Sequence, residues 1–119
     1  MKTILVAEDT DDSRQILKFL LEMYGYMVLE AVNGSEAVKT AAELFPDLIL
    51  MDISMPVMDG LEATKAIRKS DTMRKIPIIA VTAFGKQFYR QAMEAGCNDL
   101  ISKPVDFDML QPIIKQYLS

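Results

Sequence analysis

The sequence predicts an α/β domain of the doubly wound kind, in which five βα units form a parallel sheet covered by helices on both faces. Short apolar runs lack the polar alternation of a half-exposed strand, and segments with helical periodicity separate them. Continuous apolar strands are typical of parallel sheets, and right-handed crossovers then give a three-layer (βα)5 sandwich. The predicted strands are Thr3 to Ala7, Met27 to Ala31, Leu48 to Met51, Ile78 to Val81 and Leu100 to Ile101.

A helix is predicted after each strand. The first ends at Gly25, because glycine commonly terminates helices, and the second runs from Ser35 to Phe45 and is stopped by Pro46. The third follows the turn Asp59-Gly60, and the fourth runs from about Lys86 to Ala95. The apolar stripes consist of Ile16, Leu17, Leu20, Leu21 and Tyr24 in the first helix, Leu61, Ala63 and Ile67 in the third, and Leu110, Ile113, Ile114 and Tyr117 in the fifth, which contains Pro112.

The composition is that of one globular domain over residues 1–119. Half of the 119 residues are hydrophobic and 25% are charged, which suffices for a core without disulfides. The 13 basic and 17 acidic residues give a net charge of −4, so direct nucleic-acid binding is not expected. The basic group Arg68, Lys69, Arg74 and Lys75 is therefore interpreted as a solvated loop.

The cysteine and histidine content narrows the chemistry. Cys97 is the only cysteine and histidine is absent, which excludes disulfide frameworks, zinc sites and histidine-based catalysis. Cys97 is expected to be a small buried residue. The apolar runs are too short to span a bilayer, and the N-terminus lacks the apolar core of a signal peptide. A cytoplasmic protein without membrane contact is the resulting expectation.

The acidic segment AEDTDD, from Ala7 to Asp12, directly follows the first predicted strand. Two carboxylates about 4 Å apart repel by roughly 4 kcal/mol at an effective dielectric constant of about 20. Such acids must diverge into water, share a proton or surround a cation. Asp11 is expected to be the N-cap of the first helix and Asp12 to lie in its first turn, where negative charge is favourable. Glu8 and Asp9 then need a chemical explanation.

Polar residues also follow the other strands, and in a doubly wound sheet the ligand site lies beyond the carboxyl ends of the strands. Asp52 follows the third strand, Thr82 the fourth and Lys103 the fifth, so they are expected to join Glu8 and Asp9. Oxygen donors without histidine or cysteine favour a hard cation, and an open carboxylate site that keeps waters suits Mg²⁺ better than Ca²⁺. Such a site can handle a phosphoryl group, with Asp52 as the candidate nucleophile.

The whole chain resembles the receiver domain of two-component response regulators. The matching pieces are Glu8-Asp9, Asp52 within LILMDISMPVMDG, Thr82-Ala83, Ala95-Gly96 and Lys103-Pro104. The resemblance implies the flavodoxin-like strand order 2-1-3-4-5 and a role in phosphorelay signalling. A histidine kinase or a histidine phosphotransfer protein would be the phosphoryl donor, and phosphorylation would alter contacts with an unknown downstream protein. No separate substrate would be turned over, so the chain is not expected to be an enzyme in the ordinary sense.

The resemblance also implies individual roles. Asp52 would be the phosphoacceptor, and Thr82 and Lys103 would be its catalytic partners. The Lys103-Pro104 peptide bond would be cis, as is common in the family. The implied ligands of Mg²⁺, or of Mn²⁺, are Asp9, Asp52 and the backbone carbonyl of Ser54, with Glu8 acting through a coordinated water.

Two positions depart from the family pattern or bear on its kinetics. Leu100 stands where many receivers have a tyrosine or phenylalanine that acts as a switch together with the residue equivalent to Thr82, and leucine has no hydroxyl to donate. Phe84 lies two residues after Thr82, where its ring could shield a phosphoryl group from water. Ser54 and Phe84 are therefore expected to modulate the lifetime of the phosphorylated state.

Three other functions remain open at this point. In a flavin-binding protein of the same topology the first loop must donate hydrogen bonds to a phosphate, which Glu8 and Asp9 would repel. An aspartate phosphatase resembling the haloacid dehalogenases would carry a second aspartate where Ser54 stands. A receiver-like interaction module that is never phosphorylated would not need Asp52 or Lys103.

The family also suggests two protein-binding surfaces. The kinase would dock near the first helix, around Arg14 to Lys18, a range that includes Gln15. Output would use the face formed by the fourth helix, the fifth strand and the fifth helix, which carries Lys86, Arg90 and Lys115. The sequence does not distinguish a full-length regulator from a domain cut from a larger one.

Overall fold

The computed structural model describes residues 1–119. Its strands are β1 (Thr3–Ala7), β2 (Met27–Ala31), β3 (Leu48–Asp52), β4 (Ile78–Thr82) and β5 (Asp99–Ser102). Its helices are α1 (Asp11–Met23), α2 (Gly34–Leu44), α3 (Gly60–Lys69), α4 (Gly85–Ala95) and α5 (Phe107–Leu118). All neighbouring strands pair in parallel in the order β2-β1-β3-β4-β5, which confirms the predicted fold.

Two apolar cores cover the two faces of the sheet, because successive side chains of a strand point to opposite sides. On one face Leu5 and Ile49 pack with buried residues of α2, α3 and α4. On the other face Ile4 and Leu50 pack with buried residues of α1 and α5. Both faces of β3 and β4 are completely covered, as expected for central parallel strands.

The apolar stripe predicted for α1 is only partly buried. Leu17 and Leu21 lie in the core, but Ile16 and Tyr24 are 60% and 48% exposed. The stripe is wider than the surface that the sheet covers, because α1 packs on the sheet along one side only. Ile16 and Leu20 lie beside the loop between β5 and α5. Tyr24 packs against Phe107 with the ring centroids 4.9 Å apart and the ring planes tilted by 40°.

The start of α1 also differs from the prediction. Thr10, not Asp11, is the N-cap, since its carbonyl accepts the first helical hydrogen bond from the amide of Arg14. The Asp11 side chain does not cap the helix, because it accepts a hydrogen bond from the Arg14 guanidinium instead. Asp12 lies in the first turn, as expected.

The interpretation of the basic group as a solvated loop is wrong for Arg68. Its guanidinium donates to the carbonyls of Gly96, Arg74 and Ile76 and to the side-chain oxygen of Asn98, at 2.8 to 2.9 Å. Arg68 therefore ties the end of α3 to the segments that lead into β4 and β5. Cys97 is buried, as predicted.

The loop between β3 and α3 is held by two close backbone approaches that require glycine. A Cβ atom on Gly60 would lie 2.1 Å from the Asp52 carbonyl oxygen, and one on Gly34 would lie 2.2 Å from that of Met58. The amide of Gly34 donates to the Met58 carbonyl at 2.8 Å. The segment that follows Asp52 is thus fixed from two sides.

Candidate phosphoryl and metal site

Three strand ends bring an ammonium group between two buried carboxylates. Glu8 follows β1, Asp52 ends β3, and Lys103 follows β5. Lys103 Nζ lies 2.7 Å from Glu8 Oε1 and 2.9 Å from Asp52 Oδ2. Glu8 and Asp52 are 2% and 4% exposed, so Lys103 neutralises charge that water does not reach.

Asp9 completes an acidic cluster. Carboxylate oxygens of Glu8, Asp9 and Asp52 all lie within 4.8 Å of one another, and Asp9 is exposed. Three carboxylates and the one ammonium of Lys103 leave a formal charge of −2 when all are ionised. The donors are hard oxygens and one side is open to water, which are the properties of a Mg²⁺ site. The residues present therefore fit the ion that the sequence predicts.

The pKa values of the buried pair reflect their surroundings. Burial raises the pKa of Glu8 above its usual value, and the neighbouring Asp52 raises it further, while Lys103 acts in the opposite direction. Burial alone would lower the pKa of Lys103, but its hydrogen bonds to Glu8 and Asp52 raise it. Lys103 is therefore a cation, and burial beside Asp52 opposes the ionisation of Glu8.

Thr82 is joined to Lys103 through the backbone. The amide of Lys103 donates to the Thr82 carbonyl at 2.8 Å, so the lysine starts directly beside the end of β4. Thr82 is buried, and its Oγ1 accepts a hydrogen bond from the amide of Phe84 at 3.1 Å. The hydroxyl hydrogen stays available for another acceptor. The Lys103–Pro104 peptide bond is cis.

The remaining predicted site residues lie around this centre. The amide of Ser54 donates to Asp52 Oδ1 at 3.1 Å. Phe84 precedes α4 as its N-cap residue, is 56% exposed, and its ring packs edge-on against Phe88. Leu100 is half-buried, packs against the core under α3 and α4, and leans towards Gly85 at the start of α4.

Sequence reasoning missed the role of Arg14 beside this site. Arg14 is buried, and its Nη1 donates to the carbonyl of Glu8 at 3.0 Å. The signal was available, because Asp11 and Arg14 are three residues apart at the start of a helix and can pair. Without the fold, however, that pair looks like an ordinary surface ion pair.

A cavity of about 250 Å³ opens next to the charged centre, between α1 and the β5–α5 loop. Glu8 and Lys103 lie at its polar end, and Ile16, Leu20 and Val105 contribute apolar walls. Access to the charged centre from this side therefore passes over an apolar surface.

These features define a phosphoryl-handling α/β domain with a carboxylate site for a divalent cation. Residues 4–115 of the chain match the response regulator receiver domain family. The chain is 41% identical over 118 residues to the polar-differentiation response regulator DivK of Brucella anthropi, and the aligned segment covers 98% of this chain and 96% of that protein. DivK of Brucella ovis is 39% identical with the same coverage.

Solved structures agree with these relatives. The receiver domain of the sensor histidine kinase PA1611 from Pseudomonas aeruginosa PAO1, which has a magnesium ion coordinated in its active site cleft, superposes with a TM-score of 0.93 at 36% identity and covers 98% of this chain and 97% of its own. Chemotaxis protein CheY4 of Vibrio cholerae superposes with a TM-score of 0.92 at 28% identity and covers 99% of both chains.

The chain belongs to the response regulator receiver domain family. It is a signalling protein that acts as a phosphoacceptor in two-component systems, whose phosphoryl donors are histidine kinases or phosphotransfer proteins. None of its five helices combines the length and apolar character needed to cross a membrane.

The raised pKa of Glu8 predicts a pH dependence of stability. Glu8 binds its proton more tightly in the folded protein than in the unfolded chain, where its pKa is near 4.5. Ionisation of Glu8 therefore costs stability, and the folded protein becomes less stable as the pH rises above 4.5. With a chelator present, we expect the free energy of unfolding to fall as the pH rises above the ordinary carboxyl value of 4.5. The fall should be smaller in Glu8→Gln, as measured by urea denaturation. Equal slopes in both proteins would contradict the assignment.

Proposed function

We propose that Asp52 is the phosphoacceptor of this receiver. Its carboxylate is held by Lys103 on one oxygen and by the amide of Ser54 on the other. That fixed orientation is the observation that carries the proposal, because phosphoryl transfer depends mostly on positioning and charge neutralisation. One Asp52 oxygen forms the new bond to phosphorus while the bond from phosphorus to the donor histidine nitrogen breaks, and the product is an acyl phosphate.

The other site residues have proposed roles in the same step. Lys103 pairs with Asp52 before transfer and with the phosphoryl oxygens afterwards. Thr82 can donate its hydroxyl hydrogen to a phosphoryl oxygen while it still accepts from the Phe84 amide. Both residues would thus stabilise charge on the transferred group.

We propose that Asp9, Asp52 and the Ser54 backbone carbonyl bind Mg²⁺ directly, with Glu8 acting through a coordinated water. When bound, the ion would neutralise negative charge on the phosphoryl oxygens. The supporting observation is the cluster of three carboxylates, which together with the Lys103 ammonium carries a formal charge of −2 when all are ionised. The same oxygen donors would also accept Mn²⁺.

The domain is proposed to span residues 1–119 as a single receiver that acts in the cytoplasm and turns over no separate substrate. We further propose that Thr82 and Leu100 form its switch. Leu100 already packs inward beneath the first turn of α4, so a shift of Thr82 towards a phosphoryl group would be transmitted by packing and not by a hydroxyl.

The phosphoacceptor proposal is tested by incubating the full chain with acetyl phosphate and Mg²⁺ and measuring the intact mass. We expect the mass of one added phosphoryl group in the wild type and none in Asp52→Asn. Labelling of Asp52→Asn to the wild-type extent would contradict the assignment. Absence of any adduct in the wild type would favour a pure interaction module, and repeated release of phosphate without an adduct would favour a phosphatase.

We propose that the phosphoryl donor docks on the exposed apolar side of α1 next to the cavity. Within the range Arg14 to Lys18, Arg14 itself is buried, and Ile16 is the exposed apolar residue. Phe19 and Met23 extend this side along the helix and are 63% and 68% exposed. An apolar surface beside the charged centre suits a helical partner that must bring its histidine to Asp52.

The docking proposal separates protein donors from small ones. In Ile16→Glu we expect phosphotransfer to be slower by about tenfold with any histidine kinase or phosphotransfer protein that labels the wild type. Labelling by acetyl phosphate should not change. Leu44→Glu on α2 is the matched control, because Leu44 is similarly exposed at 58% but lies on another helix. A normal rate in Ile16→Glu would exclude this surface.

Phe84 is proposed to prolong the phosphorylated state by limiting access of water to the acyl phosphate. Phe84→Ala should shorten the lifetime of the phosphorylated protein severalfold, as followed by intact mass after removal of the donor. Tyr89→Ala is the matched control, since Tyr89 is also 56% exposed on α4. An unchanged lifetime in Phe84→Ala would show that its ring does not shield the group.

A further inference from the structure

The buried side chain of Arg14 makes a three-way connection behind the acidic cluster. Its side chain is 9% exposed although it carries a full charge. Nη1 donates to the Glu8 carbonyl at 3.0 Å, Nε donates to Glu30 Oε1 on β2 at 3.1 Å, and Nη2 donates to Asp11 Oδ1. One guanidinium therefore joins the β1–α1 loop, the edge strand and the first turn of α1.

The peptide between Glu8 and Asp9 is the part of the loop that this connection fixes. The amide of Glu8 donates to the Ala31 carbonyl at 3.0 Å, and the carbonyl of Glu8 accepts from Arg14. That carbonyl belongs to the same peptide plane as the amide of Asp9. Rotation of this plane would swing the Asp9 carboxylate, which is exposed and has no hydrogen bond of its own to hold it.

Glu30 in turn holds Arg14 in place. Its carboxylate accepts hydrogen bonds from Arg14 and from Gln15 Nε2 at 2.8 Å, and it forms an ion pair with Lys18 Nζ at 3.3 Å. Burial alone would raise the pKa of Glu30, but the hydrogen bonds from Arg14 and Lys18 lower it, so Glu30 is ionised at neutral pH. The guanidinium is thereby kept paired and oriented.

We propose that Arg14 is a positioning residue that sets the Glu8–Asp9 peptide, and through it the Asp9 carboxylate, for binding of a divalent cation. The inference rests on the proposed metal site and adds a residue that touches neither the ion nor the phosphoryl group. Residues that orient ligands in this way typically contribute about tenfold to a hundredfold in metal affinity.

The sign of the effect distinguishes positioning from charge. A nearby cation repels Mg²⁺, so removing the charge of Arg14 would by electrostatics alone strengthen binding. If Arg14 acts by positioning the Asp9 carboxylate, its removal should instead weaken Mg²⁺ binding. Lys39→Met removes the same charge from an exposed site on α2 and serves as the matched control.

The test is isothermal titration calorimetry of MgCl₂ into the 119-residue wild-type chain, Arg14→Met and Lys39→Met, with folding verified by circular dichroism in chelator. We expect affinity to be about tenfold weaker or more in Arg14→Met and within about twofold of the wild type in Lys39→Met. A variant that is only destabilised would show a lower melting temperature but an unchanged affinity while folded. Equal or tighter binding by Arg14→Met would overturn the proposal.

Arg14→Lys provides the second variant, also in case Arg14→Met does not fold. Lysine keeps the charge but lacks the fork that reaches both the Glu8 carbonyl and Glu30, so its Mg²⁺ affinity should also be weaker than that of the wild type. Affinity equal to the wild type would overturn the role of the fork. If the wild type itself did not bind Mg²⁺, the proposed metal site and this inference would both be overturned. If the wild type bound Mg²⁺ and Arg14→Met bound it with the same affinity, this inference alone would be overturned.

Discussion

The site depends on the single ammonium group of Lys103 between two buried carboxylates. Glu8 directly follows β1 and Asp52 ends the adjacent strand β3, so the sheet itself forces their charges together. β5 is two strands away from β3, which corresponds to a separation of about 9.5 Å across the sheet. Only a long cationic side chain can span that distance, and the Lys103 amide is anchored on Thr82 of the intervening strand. Without this pairing, two carboxylates would be buried next to each other with no compensation.

The loops that follow β3 and β1 are held rigidly next to this charged centre. The proposed phosphoacceptor, Asp52, would have to present one oxygen in a fixed direction, and its carboxylate is held by Lys103 and by the amide of Ser54. The glycines at 34 and 60 let the backbone approach the loop after Asp52 so closely that no side chain would fit. Arg14 does the equivalent for the loop after β1, with a guanidinium in place of backbone contacts. Each loop that carries a predicted ligand is thus tied to a neighbouring element.

Helix α1 combines two surfaces with opposite requirements. Leu17 and Leu21 complete the core, while Ile16, Phe19 and Met23 stay exposed although exposure of large apolar side chains is unfavourable. The exposed side borders the cavity that leads to Lys103 and Glu8. In the proposed docking mode this surface would contact the phosphoryl donor next to Asp52, which would account for its apolar character.

The sequence by itself determined the order of strands and helices, the parallel sheet and the identity of the residues at its carboxyl edge. Apolar runs and helical periodicity are local properties, so the strands and helices can be identified along the chain. The polar residues at the strand ends are then expected to meet at one edge of the sheet, and they are Glu8, Asp9, Asp52, Thr82 and Lys103. Only the tertiary structure decided which contacts those residues make. The Lys103 ammonium lies between Glu8 and Asp52 because β5 is two strands away from β3, so the long lysine side chain reaches across the end of β4 to the carboxylates that follow β1 and end β3. Likewise, Arg68 becomes a structural tie because the carbonyl groups that accept its hydrogen bonds come from other segments of the folded chain. Asp11 accepts from Arg14 and does not cap α1, and Arg14 is held in that position by the Glu8 carbonyl and by Glu30 on β2.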